Sequence, residues 1–469
     1  MAYGARLESV LGASPQGFES PILRHLNPSN QSRGRAVPQL VLGVDSSTQS
    51  CKVIAYDLAT GDVVRQGRAP HPVGTEVDPE DWWQALLSAI ENAGGFVDVL
   101  AISIAGQQHG MVLLDDMGRV LRPALLWNDL RSGPQAAELI EHFGAEFLAE
   151  LTGSVPVASF TATKVLWVKQ NEPEIAKQVA AVCLPHDYLS WRLSENYPNI
   201  KKIFTDRSDA SGTGYFDPKN NVYLDEVFEY CLGHRAILPT VLGAEESVAN
   251  VQFELAPGGV RIGAGMGDNA GAARGLDLEP GMFAVSIGTS GTVFGSSSKA
   301  SADSSGTISG FADADGQFLP LVCTLNAARV IEWGASLLGV TLDEFGELAL
   351  KAQKQSGGIR VIPYLEGERT PNLPNATASV EGINLSNGTR ENFARACIEG
   401  MLGGLAHGAS VVAGAGHLIQ SISFVGGAAA NKAVQKIAGE IFNFKINFPK
   451  PQEYVALGAA KQAAKLIRP

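Results

Sequence analysis

The chain has 469 residues, too many for one hydrophobic core and enough for two domains of ordinary size. Hydrophobic residues make up 45% and charged residues 18%, which supplies folded cores and excludes a largely disordered chain. A formal net charge of −12, from 36 Lys plus Arg against 48 Asp plus Glu, argues against nucleic acid or an anionic membrane as partner. It leaves room for a small phosphate ligand held by backbone N–H groups and a metal.

Residues 1–38 show no apolar periodicity and are expected to form a flexible N-terminal extension. A disordered tail, an over-long start and a targeting segment all remain open there. Arg6, Arg24, Arg33 and Arg35 outnumber Glu8 and Glu19, as in a transit peptide. The first strand pattern begins at Gln39-Leu40-Val41-Leu42, followed by a strand at Val53 to Tyr56, a turn at Ala59 to Asp62 and a third strand from Val63. Between the first two strands, Asp45-Ser46-Ser47-Thr48-Gln49-Ser50 offers a carboxylate and several hydroxyls on a tight turn. Such a turn can aim donors at phosphate, with Thr48 among them, while Asp45 meets a hydrated Mg²⁺. A polar hairpin held by an Asx turn has the same composition.

Pro79 to about Ala93 reads as an amphipathic helix and Val99 to Ile104 as a strand, giving the order β-β-β-α-β. That strand runs into Gly106-Gln107-Gln108-His109-Gly110, whose polar groups can bind several hydroxyls, although a lone histidine such as His109 is more often structural than a ligand. Trp127-Asn128-Asp129-Leu130-Arg131-Ser132 adds an aromatic face and a charged pair that can equally be a salt bridge. Five separated cysteines, Cys51, Cys183, Cys231, Cys323 and Cys397, form no CxxC pair and read as reduced thiols. No apolar run is expected to span a membrane and no signal-peptide pattern opens the chain, so a cytoplasmic location is expected.

In Gly265-Met266-Gly267-Asp268-Asn269-Ala270, an Asp-Asn pair follows a glycine turn and opens a small-residue helix. A hydroxyl attacking phosphorus needs a carboxylate to take its proton, and Asp268 suits that, whether or not it also caps the helix. Pro280-Gly281 marks the expected boundary between domains 39–279 and 280–469. The strand-loop-strand opening then recurs. Phe283 to Ile287, the loop Gly288-Thr289-Ser290-Gly291 and Thr292 to Gly295 are followed by a loop at Asp313 to Gly316 and a strand at Phe318 to Val322.

Thr289 can offer its hydroxyl to a γ-phosphate, and the glycines beside it allow close approach of backbone to ligand. A third loop, Gly426-Gly427-Ala428-Ala429-Ala430-Asn431, follows a strand and enters a helix, where a nucleotide can lie close. No GxxxxGK[ST] loop and no HRD or DFG set accompanies these three loops. Facing one cleft, they could divide ATP and a sugar between two domains.

At these residues the sequence resembles the FGGY family of carbohydrate kinases, and within it the xylulose-phosphorylating members. The carrying segments are Gly43 to Ser50, Ala105 to Gly110, Leu126 to Asp129 with Arg131, Gly267 to Ala270, Ser286 to Gly291 and the late stretch Gly382-Ile383 to Ile398-Glu399. The resemblance runs from about residue 39 to the end. It implies an α/β fold of two actin-like (ribonuclease-H-like) domains around a cleft, and ATP-dependent phosphorylation of D-xylulose with Asp268 as general base and Asp45 organising Mg²⁺ and phosphate. It also implies sugar contacts from Gln108, His109, Asp268 and Asn269, and ATP contacts from Thr48, Gly288, Thr289, Gly426, Gly427, Ala428 and Asn431. Gln108 stands where the family often has Met. Another ketose or polyol, such as D-ribulose or glycerol, stays open as substrate, as do a non-catalytic actin-like ATP-binding role and a homodimer.

Overall fold

The structure is a computed structural model that describes residues 39–467; the extension 1–38 lies outside the described residues. In the first half, β1 (Leu40–Ser46), β2 (Ser50–Asp57) and β3 (Val63–Pro70) form an antiparallel meander, and β1 is buried along its whole length. A strand buried on both faces reads as a continuous apolar run, which is why Leu40 to Val44 lacks alternation. Helix α1 (Pro79–Asn92) starts where Asp78 accepts from Glu80 N, has Pro at its first turn, and buries Trp82, Trp83, Leu86 and Ile90. The chain then returns as β4 (Val99–Gly106), parallel to β1.

A two-residue strand, β5 (Met266–Gly267), pairs with the far end of β4 and leads directly into α2 (Asp268–Gly275). Ala105 therefore faces Asp45 on one side and Met266 on the other, and Gly106 faces Ser46 and Gly267. The ends of β1, β4 and β5 open side by side, so the loops they feed share one edge of the sheet.

The second half repeats this plan. Strand β6 (Met282–Ile287) pairs antiparallel with β7 (Gly291–Gly295), which pairs with β9 (Phe318–Thr324), and β8 (Ser309–Ala312), which the sequence pattern did not suggest, completes that edge. After α3 (Ala328–Leu338) and α4 (Arg390–Gly414), strand β10 (Ser421–Val425) runs parallel to β6 as β4 does to β1. Helix α5 (Lys432–Ile441), strand β11 (Lys445–Asn447) and α6 (Tyr454–Lys465) close the described chain. Contrary to the expectation for apolar runs, α4 is long and apolar enough by length and composition to cross a membrane. Half of its most apolar stretch is buried, and Ile398, Met401, Leu402 and Leu405 join the second core.

The halves interlock at two places. Met266 and Ala270 pack with Ala284, Phe294 and Leu319, and α6 crosses back to cover β1 and α2. That crossing needs glycine, because a Cβ at Gly43 would lie 2.0 Å from the Ala456 carbonyl oxygen. From α6 the buried Gln462 accepts from Gly265 N and donates to Gly265 O, each at 3.0 Å, which pins the turn ahead of Asp268.

Candidate active site

A cavity of about 290 Å³ lies between the halves. It is lined by Gln108, His109, Trp127, Asp268 and Asn269 from the first half and by Ser286, Gly288, Ser290, Thr292 and Arg369 from the second. Asn269 Nδ2 donates to Gln108 Oε1 at 3.1 Å, so the loop after β4 and the start of α2 are joined in front of the cavity. Behind them the buried Ser208 holds both, taking Gly267 N on its hydroxyl at 3.1 Å and Gln108 Nε2 on its carbonyl at 3.4 Å.

His109 has a left-handed backbone with φ of 68°, a conformation that costs energy in a non-glycine residue unless its surroundings enforce it. Thr161 Oγ1 and Lys164 Nζ both donate to its carbonyl, at 3.2 and 3.0 Å, and its ring stacks on Phe160. His109 Nδ1 lies 2.6 Å from the Gly212 carbonyl oxygen, so Nδ1 carries the proton and Nε2 remains an acceptor. Burial, reinforced by the Lys164 charge, pushes the ring down to about 3 and keeps it neutral. Lys164 is itself pushed down to about 7 by burial.

Asp268 is the first residue of α2 after Gly267 at the N-cap, and its Oδ1 accepts from Asn269 N at 2.7 Å and Asn269 Nδ2 at 3.0 Å. Burial first, and then the charge of Asp45, raise its carboxyl to about 7. Asp45, 3% exposed, is raised by burial too. Ser47 Oγ donates to one Asp45 oxygen, and Lys52 Nζ lies 3.5 Å from the other while it also pairs with Glu453 at 2.7 Å. The Thr48 hydroxyl accepts from Trp127 Nε1 at 2.8 Å, which ties the first loop to the cavity's aromatic wall. Asp129 and Arg131 form the structural alternative, an ion pair at 2.9 Å extended to Glu76.

A second cavity, of about 490 Å³, is lined by Ile287, Gly288, Thr289, Gly427, Ala428 and Asn431 together with Ala328, Glu332 and Asp343. Gly288 lines both cavities, so one residue of the loop between β6 and β7 separates them. Nothing lies within 4 Å of where a Cβ would stand on Gly427, and the backbone there is open to a ligand. Gly426 faces a neighbouring cavity with Lys52 and has φ of 93°; a Cβ on it would meet the Ile287 carbonyl oxygen at 2.6 Å. A one-turn helix, Gly427–Ala430, separates β10 from α5, and Asn431 caps α5 through Ala433 N at 2.8 Å.

Two features of the site lie outside the sequence motifs. Arg369 enters the first cavity from an irregular loop. His186, fully buried, lies between Asp209 (Nδ1 to Oδ2, 2.6 Å) and Asp187 (Nε2 to Oδ1, 3.2 Å). Burial opposes its charge, but the carboxylates prevail and push it up to about 10. The three are the one group among the described residues with metal-ligand spacing, yet both ring nitrogens already face carboxylates, as in an ion-paired imidazolium. A Cβ at Gly265 would meet the His186 ring at 2.3 Å, and one at Gly106 its Cβ at 2.9 Å, so this ion pair backs the strand ends that carry Gln108 and Asp268.

Residues 40–275 match the N-terminal domain of the FGGY family of carbohydrate kinases, and residues 283–467 match its C-terminal domain. Xylulose kinase of Streptomyces rubiginosus is 42% identical over 91% of this chain and 88% of its own length. That of Escherichia coli K12 is 34% identical over 90% of this chain and 89% of its own. The crystal structure of xylulose kinase from Bifidobacterium adolescentis superposes with a TM-score of 0.85 at 43% identity, covering 92% of this chain and 93% of that one. The duplicated α/β architecture is thus the actin-like, ribonuclease-H-like fold of those kinases, and ATP use and a small sugar substrate follow from the family. With matches over both halves, the chain belongs to the FGGY family of carbohydrate kinases.

Proposed function

We propose that this protein transfers the γ-phosphoryl group of ATP to D-xylulose, giving D-xylulose 5-phosphate, with Asp268 as general base. The carrying observation is a carboxyl held near 7, in a cavity that shares Gly288 with the one suited to a nucleotide. General-base catalysis works best when the base titrates close to working pH. The choice of sugar rests on the xylulose kinases to which the chain is 42% and 43% identical.

On this reading Gln108, His109 and Asn269 bind sugar hydroxyls. Gln108 and Asn269 present a joined pair of amides, and His109 offers a neutral acceptor nitrogen. Asp268 accepts the proton of the attacking hydroxyl as the new O–P bond forms and the bond to the leaving ADP breaks. Thr289, Gly288, Gly427, Ala428 and Asn431 line the nucleotide side, with Gly426 shaping that loop from behind and Thr48 steadying the first loop through Trp127. Asp45 is a buried carboxylate whose one salt-bridge partner among the described residues, Lys52, is shared with Glu453, and this oxygen-donor setting suits a hydrated Mg²⁺. The ion would neutralise charge on the phosphates, and Asp45 would hold it through water. On this reading the domain boundary is Pro280-Gly281, a choice supported by the end of one matched segment at residue 275 and the start of the next at 283.

Release of ADP, followed over a panel of D-xylulose, D-ribulose and glycerol, tests the proposal. Fastest turnover with D-xylulose is expected, since a site built to hydrogen-bond particular hydroxyls rejects analogues that leave its groups unpaired. Higher kcat/KM for glycerol than for either ketose would overturn the choice of sugar.

A further inference from the structure

We propose that Arg369 is a further catalytic residue, its guanidinium meeting the oxygens of the phosphoryl group in transit. The inference rests on the kinase reading above and adds a charge that reading lacks. Asp268 and Asp45 put two carboxylates beside the transfer path, and an arriving phosphoryl group is itself negative. Charge spreads over the three equatorial oxygens as the group passes, so a cation placed there lowers the barrier.

The other cations near the cavity are committed. Lys164 is buried against the carbonyls of His109 and Ser159. Lys52 is shared between Asp45 and Glu453, and Arg131 between Asp129 and Glu76. Arg369 is half-buried and lines the same cavity as Asp268, from the other half of the chain, and among the described residues it enters no ion pair with a carboxylate. Its charge reaches across the cavity, where it helps to keep His109 unprotonated.

Its backbone is fixed before any ligand arrives. The buried Glu368 accepts from Arg369 N at 2.7 Å, Leu325 N at 2.6 Å and Asn326 Nδ2 at 3.0 Å, while Thr370 Oγ1 donates to the Cys323 carbonyl at 2.9 Å. Glu368 and Thr370 thus clamp both sides of Arg369 to the end of β9. A neutral sugar needs no guanidinium, whereas a phosphoryl group matches its planar fork.

Arg369→Ala and Arg369→Lys, assayed with D-xylulose and MgATP beside the unaltered enzyme, test the proposal. For Arg369→Ala we expect kcat to fall about 10³-fold or more with both KM values changed only a few-fold, the scale of a transition-state arginine. Arg369→Lys should keep part of that activity, and added guanidinium ion should restore part of the turnover of Arg369→Ala, which a purely structural role would not allow. Unchanged kcat in Arg369→Ala, or a loss confined to the sugar KM, overturns the proposal. Absence of turnover in the unaltered enzyme with every ketose would instead overturn the kinase reading, and this inference with it.

Discussion

Asp45 and Asp268 flank a single strand end: Ala105 of β4 faces Asp45 in one ladder and Met266, two residues before Asp268, in the other. The residues that follow Ala105 on β4 lead into Gln108 and His109, so the proposed metal-handling acid, sugar loop and base leave the sheet side by side. Their closeness is also electrostatic, because the charge of Asp45 helps to raise the Asp268 carboxyl to about 7.

The pH profile should follow from that. Asp268 must be ionised to accept a proton, so kcat/KM should rise with pH through about 7 and level off above it. Asp268→Asn should lower kcat by about 10²–10⁴-fold while titration calorimetry still detects sugar binding. Near-normal turnover in that variant would remove Asp268 from the chemistry.

Stability should run the other way. A carboxyl raised in the folded protein is favourable to folding when protonated, below its unfolded value of 3.8, and that contribution is lost as pH rises through about 7. Asp268→Asn should therefore raise Tm more at pH 8 than at pH 4, by an amount reflecting roughly 1–3 kcal/mol of relieved burial. Equal shifts at both pH values would mean that the carboxyl is not strained by its site.

Asp45→Ala should impair turnover through the metal. Its buried carboxyl lines neither of the two cavities proposed for sugar and nucleotide, so sugar KM should change little, and raising Mg²⁺ should recover part of the activity. A defect in sugar KM alone that ignores Mg²⁺ would assign Asp45 another role.

Local order was readable in the sequence, and long-range order much less so. The meander β1-β2-β3, helix α1 and the loops at Asp45 and Gly288 follow from turns, caps and apolar runs that a short window contains. The repeat was legible for the same reason, since β6-β7-β9 copies that layout. Strand β5 has two residues, too few for any periodicity, so the pairing that sets Asp268 beside β4 could not be read. The return of α6 onto the first sheet depends on Gly43 meeting Ala456, residues more than 400 positions apart. Arg369 and His186 lay outside any motif, and only the folded cavity and the packing against Gly265 give them meaning.

Gly212→Ala should act on the sugar without touching it. The added Cβ would lie 2.9 Å from His109 Nδ1 and 3.0 Å from Cε1, so the ring must turn from its bond to the Gly212 carbonyl. A sugar KM raised about tenfold, equivalent to about 1.4 kcal/mol, with ATP KM unchanged, is expected from steady-state kinetics. Unchanged sugar KM would show that the His109 ring does not hold substrate.

Sugar and nucleotide should together close the two halves. Asp268, Gln108 and His109 belong to the segment before residue 280, whereas Thr289, Gly427 and Arg369 belong to the segment after it. In-line transfer requires the hydroxyl, phosphorus and leaving oxygen to meet at bonding distance, so acceptor and donor walls must approach once both are loaded. Closure would also exclude water, which otherwise competes with the sugar for the phosphoryl group. The connection at residues 276–281 is short, but α6 and the packing of Ala270 on Ala284 keep the halves in contact, so the motion should be a rotation about that shared seam. Small-angle scattering with D-xylulose and a non-hydrolysable ATP analogue should show a smaller radius of gyration than the free protein. Either ligand alone should give a lesser change, because each then touches mainly one wall. An unchanged radius with both ligands saturating would mean that the cleft is already closed and that only loops move.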